Sequence, residues 1–238
     1  MTVGLQVYND WGSVLLSSNR KNYVMIQKGS FATVAKGSLW QYAGSAALLT
    51  VPASSQKPML AFSVRGGAQG MYLGGGVVNG SATWKFNVSA PVGTIVDYWV
   101  FDVPPAPPVG PGYGLEVYDA VGALCYSIQN KPLRIRDVIH DGSSGDVYYD
   151  AGRTYAAILG TFGNNMSWTD GLAPSAHELP APDCYGRVWS SYSFGVSGNH
   201  VQISQINHSG DQYGTFDPDF NAAYESPPNI IIADVTNL

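Results

Sequence analysis

An internal repeat constrains this chain more than any other feature. Gly4-Leu5-Gln6-Val7-Tyr8-Asn9-Asp10-Trp11-Gly12-Ser13-Val14-Leu15 returns at an offset of 110 as Gly114-Leu115-Glu116-Val117-Tyr118-Asp119-Ala120-Val121-Gly122-Ala123-Leu124-Cys125. In each copy Leu and Val (5 and 7, 115 and 117) alternate with polar or exposed neighbours, the period-two pattern of a strand with one buried face. Turn chemistry follows, closed by Gly12 or Gly122, and then apolar residues resume. Each half is therefore expected to open on a β-hairpin.

Further segments correspond in order. Pro58 to Val64 and Tyr155 to Phe162 read as buried strands. Gly80 to Val88 aligns with Gly198 to Ile206, and Val96 to Asp102 with Asn229 to Val235. The second half needs about twenty more residues to reach its closing strand, so insertions are placed at Asn164 to Gly186 and Asp211 to Pro228. Between the halves, Pro104-Pro105-Ala106-Pro107-Pro108-Val109-Gly110-Pro111-Gly112 reads as a stiff polyproline-II spacer. Gly, Pro and β-branched residues interrupt every window long enough for an amphipathic helix. The expected fold is all-β: two tandem antiparallel β-sandwich-like domains, residues 1–103 and 113–238, joined by the Pro-rich linker 104–112.

Composition narrows the function classes. Charged residues make up 12% of the chain, about half the usual share. Such a surface suits repeated assembly contacts, because interface cores are poor in Lys, Glu and Asp. Lys and Arg outnumber Asp and Glu seven to three in residues 1–112 and are outnumbered five to 14 in residues 113–238. Halves of opposite sign can set the register of contacts between copies or dock on different partners. No basic stripe suits a nucleic-acid ligand. No apolar run approaches the roughly 20 residues of a membrane-spanning helix. Met1 leads into Gly4-Leu5-Gln6-Val7-Tyr8 without the features of a secretory signal, so synthesis in a cytoplasm is expected. There Cys125 and Cys184 are expected as thiols, although a pairing across a sandwich stays open.

The unit opened by Gly4, Leu5, Val7, Tyr8 and Gly12 and closed by Tyr98-Trp99-Val100-Phe101-Asp102 resembles the small tail-tip and tail-fibre-associated proteins of long-tailed bacteriophages and prophages. The second half keeps the opening at Gly114 to Gly122 but closes on Ile230-Ile231-Ile232. The resemblance implies a structural protein of the virion tail tip or baseplate, without enzymatic activity or cofactor. Its implied partners are other tail proteins, copies of itself and a host surface receptor or glycan. A carbohydrate-binding adhesin and a capsid decoration protein are the alternatives.

The search for chemistry finds no catalytic constellation: no Gly-x-Ser-x-Gly elbow, no His-Glu-x-x-His and no phosphate-cradling Gly-Lys-Ser/Thr loop occurs. Gly74-Gly75-Gly76 reads as a flexible loop before a hairpin turn. His140, His177, His200 and His208 are scattered, so no metal site is expected from them. Asp211, Asp217, Asp219 and Asn221 form an oxygen-rich loop that imitates half of a calcium loop but lacks its central Gly and closing Glu. Trp168, Tyr185, Trp189 and Tyr192, among polar neighbours, form a candidate contact surface for a protein groove or a saccharide face. A core strand carrying Trp189, Tyr192 and Phe194 is the competing reading.

Overall fold

The computed structural model describes residues 6–8, 14–17, 22–35, 44–52, 58–103, 115–127, 129–140, 145–159, 164–169, 184–213, 224–226 and 229–238. The first half supplies β1 (Gln6–Tyr8), β2 (Val14–Ser17), β3 (Val24–Ala32), β4 (Ser45–Pro52), β5 (Met59–Val64), β6 (Gly70–Val78), β7 (Ser81–Val88) and β8 (Ile95–Asp102). The second supplies β9 (Glu116–Tyr118), β10 (Leu124–Ser127), β11 (Ile135–Ile139), β12 (Gly145–Tyr148), β13 (Tyr155–Leu159), β14 (Asn164–Thr169), β15 (Cys184–Ser197), β16 (His200–Tyr213), β17 (Tyr224–Ser226) and β18 (Ile230–Asp234). The only helical element among the described residues is a 3-10 turn at Arg65–Gly67. The protein is all-β, and every strand pairing among the described residues is antiparallel.

The opening repeats form the separate hairpins β1–β2 and β9–β10. In the second, the Asp119 carboxylate accepts hydrogen bonds from the amides of Val121 (3.0 Å) and Ala123 (2.7 Å), which closes the turn between the strands.

The remaining strands build two sheets, and here the expectation of two separate domains is corrected. One sheet has six strands in the order β11-β18-β13-β5-β8-β3; the other runs β12-β16-β15-β6-β7-β4. Each half gives three adjacent strands to each of these paths, which mirror one another about the middle; β14, paired with β15, and β17, paired with β14, bring the second sheet to eight strands. The halves meet where β5 pairs with β13 (Phe62 with Ala157, Ala61 with Ile158) and where β15 pairs with β6 (Phe194 with Gly70).

One apolar cluster fills the space between the sheets and draws on both halves: Leu60, Phe62, Trp84, Phe86 and Val100 from the first, Tyr155, Phe194, Val201, Ile230 and Ile232 from the second. Three strands per sheet leave β5, β6, β13 and β15 with open edges and exposed apolar faces. Joining the halves side by side satisfies both. The Pro-rich segment 104–112 lies outside the described residues.

The seam is tightly built. Phe62 meets Phe194 at 4.7 Å between ring centroids and Phe86 edge-on at 5.2 Å. The Ser63 hydroxyl donates to the Val196 carbonyl at 3.0 Å, linking the sheets. At Gly195 a Cβ would stand 2.9 Å from the Gly67 carbonyl oxygen, so the 3-10 turn and β15 approach this closely only because no side chain intervenes.

The six-stranded sheet buries both of its faces at the centre. Ala61, Phe101, Ala156, Ile158, Ala233 and Val235 make a second cluster, on the face opposite the shared core. Residues 131–133 bond back to β3 (Met25 N to Lys131 O, 2.7 Å; Leu133 N to Tyr23 O, 2.8 Å) before the chain enters β11. The two outermost strands of this sheet are thereby bridged.

Two readings of the repeat change in register. The hairpin turns Asn79-Gly80 and Gly198-Asn199 occupy the same place, with positive φ at Asn79, Gly80 and Gly198 (50°, 73° and 60°). Ala82 and Trp84 therefore correspond to Val201 and Ile203, all buried, one residue away from the sequence alignment. A slip of one residue exchanges the faces of a strand, so burial decides it. Gly74-Gly75-Gly76 is not a loop either. It lies within β6, whose register shifts between Leu73 and Gly75, a bulge for which glycine is suited.

Candidate functional site

β15 and β16 pair along 14 positions, from Ser197 with His200 to Cys184 with Tyr213. Among the described residues, strands of the main body pair with the near end of this hairpin. β6 meets β15 at Phe194, and β12 meets β16 over His200 to Ile203. From Tyr192 and Gln205 outward, nine residue pairs continue, flanked by β14 along Gly186 to Ser191 and, beyond it, β17. At about 3.3 Å per residue this arm extends about 30 Å. Of this arm, β14, β17 and the outermost pairs (184–186 with 211–213) fall in the segments that the repeat comparison assigned to insertions, while 187–192 and 205–210 lie outside them.

The candidate contact residues all hold places on this arm. Trp168 on β14 is paired with Arg187; on β15, Tyr185 is paired with Gln212, Trp189 with Met166 and His208, and Tyr192 with Gln205. Strand positions alternate between faces and directly paired positions share one. Positions 168, 185 and 189 therefore share one face of the arm, and position 192 belongs to the other, the face that Phe194 and Val196 carry into the core.

Sequence reasoning missed a group on the outer face of the eight-stranded sheet. Tyr148, on the outermost strand β12, is paired with His200 and is 69% exposed. The two rings stack at 4.6 Å between centroids and 11° between planes. His200 Nε2 lies 2.9 Å from Asp146 Oδ1, which holds the imidazole in place. Gln202, paired with Asp146, accepts through Oε1 from Gln69 Nε2 at 2.7 Å, and Gln69 Oε1 accepts from the Ser193 hydroxyl at 3.2 Å. The missed signal was the spacing Asp146-x-Tyr148 facing His200-x-Gln202. It becomes visible only when β12 is laid beside β16.

The other sequence candidates separate. His140 Nδ1 is 2.9 Å from Asn229 Oδ1. His208 is paired with Trp189 on the arm, and Asp211 with Gly186. His177 and Asp217 to Asn221 lie outside the described residues. No group of three or more His, Cys, Asp or Glu arranged to hold a metal occurs among the described residues. Cys125 is buried in β10, with its thiol 3.7 Å from the Ala123 carbonyl, and Cys184 opens β15.

The most constrained ionic cluster is at Asp234. Burial alone would raise its carboxyl pKa. Hydrogen bonds from the Thr236 hydroxyl and amide and from Arg153, with the charge of Arg134, outweigh that and hold it below the ordinary value. These contacts tie β18 and the turn after it to the segments entering β11 and β13. Tyr149 is pushed above the usual phenol range, first by burial and then by its hydrogen bond to Asp137.

No family model, no curated protein and no solved structure matches this chain.

Proposed function

We propose that this chain is a structural component of a bacteriophage tail tip or baseplate, assembling with other tail proteins and with copies of itself and contributing to attachment at a host surface. The observation that supports this reading is the arm built from β14 to β17. The described partners of the arm's strands are one another, and a narrow sheet of this kind gains burial for its faces and outer strand from a neighbour. Aromatic positions 168, 185 and 189 on one face suit such a contact.

The charge-poor composition fits a surface used repeatedly for assembly, and the opposite net charges of the halves fit an ordered arrangement of copies. In this reading the halves are two copies of one strand unit fused side by side. Gold-labelled antibody against the chain, applied to purified tailed particles from the producing host, is expected to mark the distal end of the tail. Label on the head or shaft, or none on particles, refutes the assignment.

A further inference from the structure

We infer that Tyr148, His200, Asp146 and Gln202 form a saccharide-binding site on the outer face of the eight-stranded sheet. This inference does not rest on the virion reading. Tyr148 turns one ring face to His200, and with no strand paired beyond β12 among the described residues and 69% of the residue exposed, the other face is open to water. The imidazole behind it is fixed by Asp146 at 2.9 Å. The ring is thus a pre-ordered apolar plate, which lowers the entropic cost of binding.

Polar groups lie beside the plate. Asp146 uses Oδ1 for His200, leaving Oδ2 to accept. Gln202 uses Oε1 for Gln69, leaving Nε2 to donate. Asp146 and Tyr148 share a face at adjacent outward positions of β12, and Gln202 is directly opposite Asp146. A pyranose has the matching chemistry: an apolar face of C–H groups for the ring and vicinal hydroxyls that each donate and accept. A flat apolar peptide side chain would use the ring but neither polar group.

The sister half argues against a purely structural role. By the register of the two hairpins, Tyr148 opposite His200 corresponds to Pro52 opposite Ser81, and Asp146 opposite Gln202 to Thr50 opposite Thr83. There the same strand pair is held with small residues and one hydroxyl contact, Thr50 to Thr83 at 3.0 Å. Strand pairing at this place therefore needs neither an exposed aromatic ring nor a clamped histidine.

The test uses the full chain on an array of defined oligosaccharides spanning the common pyranoses, followed by titration with the best-retained one in free form. The wild type is expected to retain a related set. Tyr148→Ala should weaken binding at least tenfold and Asp146→Asn severalfold, while Tyr148→Phe stays within about threefold because the plate remains. Val121→Ala, in the exposed turn between β9 and β10, should bind as the wild type does. Melting curves for each variant separate loss of binding from loss of fold. Silence of the wild type across the array overturns the inference and leaves the plate as a protein contact, and equal binding by Tyr148→Ala overturns it as well. Neither result bears on where the chain sits in a particle.

Discussion

Truncating Phe62 to Ala probes the seam between the halves. Phe62 is 1% exposed, stands on β5 opposite Ala157 of β13, and touches Phe86 of its own half and Phe194 of the other. Loss of a buried phenylalanine costs about 3–5 kcal/mol once the residual cavity is included. The upper part of that range is expected, because two aromatic contacts are lost together. For a chain of this size the urea dependence is about 3 kcal/mol per M, so the midpoint should fall by about 1 to 1.7 M.

The shape of the transition matters more than its size. With one core shared by both halves, tryptophan fluorescence and far-UV circular dichroism should move together in a single transition for wild type and variant. Two transitions in the wild type, with only one displaced in Phe62→Ala, would show that the halves fold independently and refute the shared core. A loss under about 1 kcal/mol would equally contradict the packing described for Phe62.

Two further predictions concern buried polar groups. The Tyr155 hydroxyl is fully buried and has no hydrogen-bond partner. Since an unsatisfied buried hydroxyl costs about 1–3 kcal/mol, Tyr155→Phe should stabilise the protein by about 1 kcal/mol, raising Tm by about 2–4 °C; a lower Tm contradicts this. Asp234→Asn should cost about 1–3 kcal/mol at pH 7, the scale of hydrogen bonds to a charged group. The Asp234 pKa is depressed in the folded state, so its contribution is full above the unfolded value near 3.9 and is lost as pH falls through the folded value. Denaturation at a series of pH values should show the gap between variant and wild type closing below about pH 4; a gap that persists there contradicts the ionic role.

Local features were legible in the sequence because local chemistry decides them. An apolar position at Val117 followed by an Asp-to-Gly turn specifies a hairpin whatever lies around it, although Leu115, read with it as one buried face, precedes β9 and is exposed, and the absence of any uninterrupted helical window excludes an α-fold. That each half closes on an apolar strand was readable for the same reason, but the alignment of Val96–Asp102 with Asn229–Val235 is one residue out: Tyr98 and Val100 share the core with Ile230 and Ile232, not with Ile231 and Ala233. The triple glycine misled because a bulged strand and a flexible loop use the same residue.

What the tertiary structure alone decided is which strand lies beside which. A period-two pattern names the face to be buried but carries no address for the neighbour, so β5 with β13 could not be told from β5 closing its own half. The same gap hid the outer-face group: Asp146 and Tyr148 are more than fifty residues from His200 and Gln202, and only the β12–β16 pairing makes them adjacent. Burial, which depends on the whole packed body, set the one-residue register between Trp84 and Ile203. Propensity is a property of the residue and its near neighbours. Pairing is a property of the completed sheet, where an open edge and an exposed apolar face are satisfied by whichever strand the rest of the chain can bring to them.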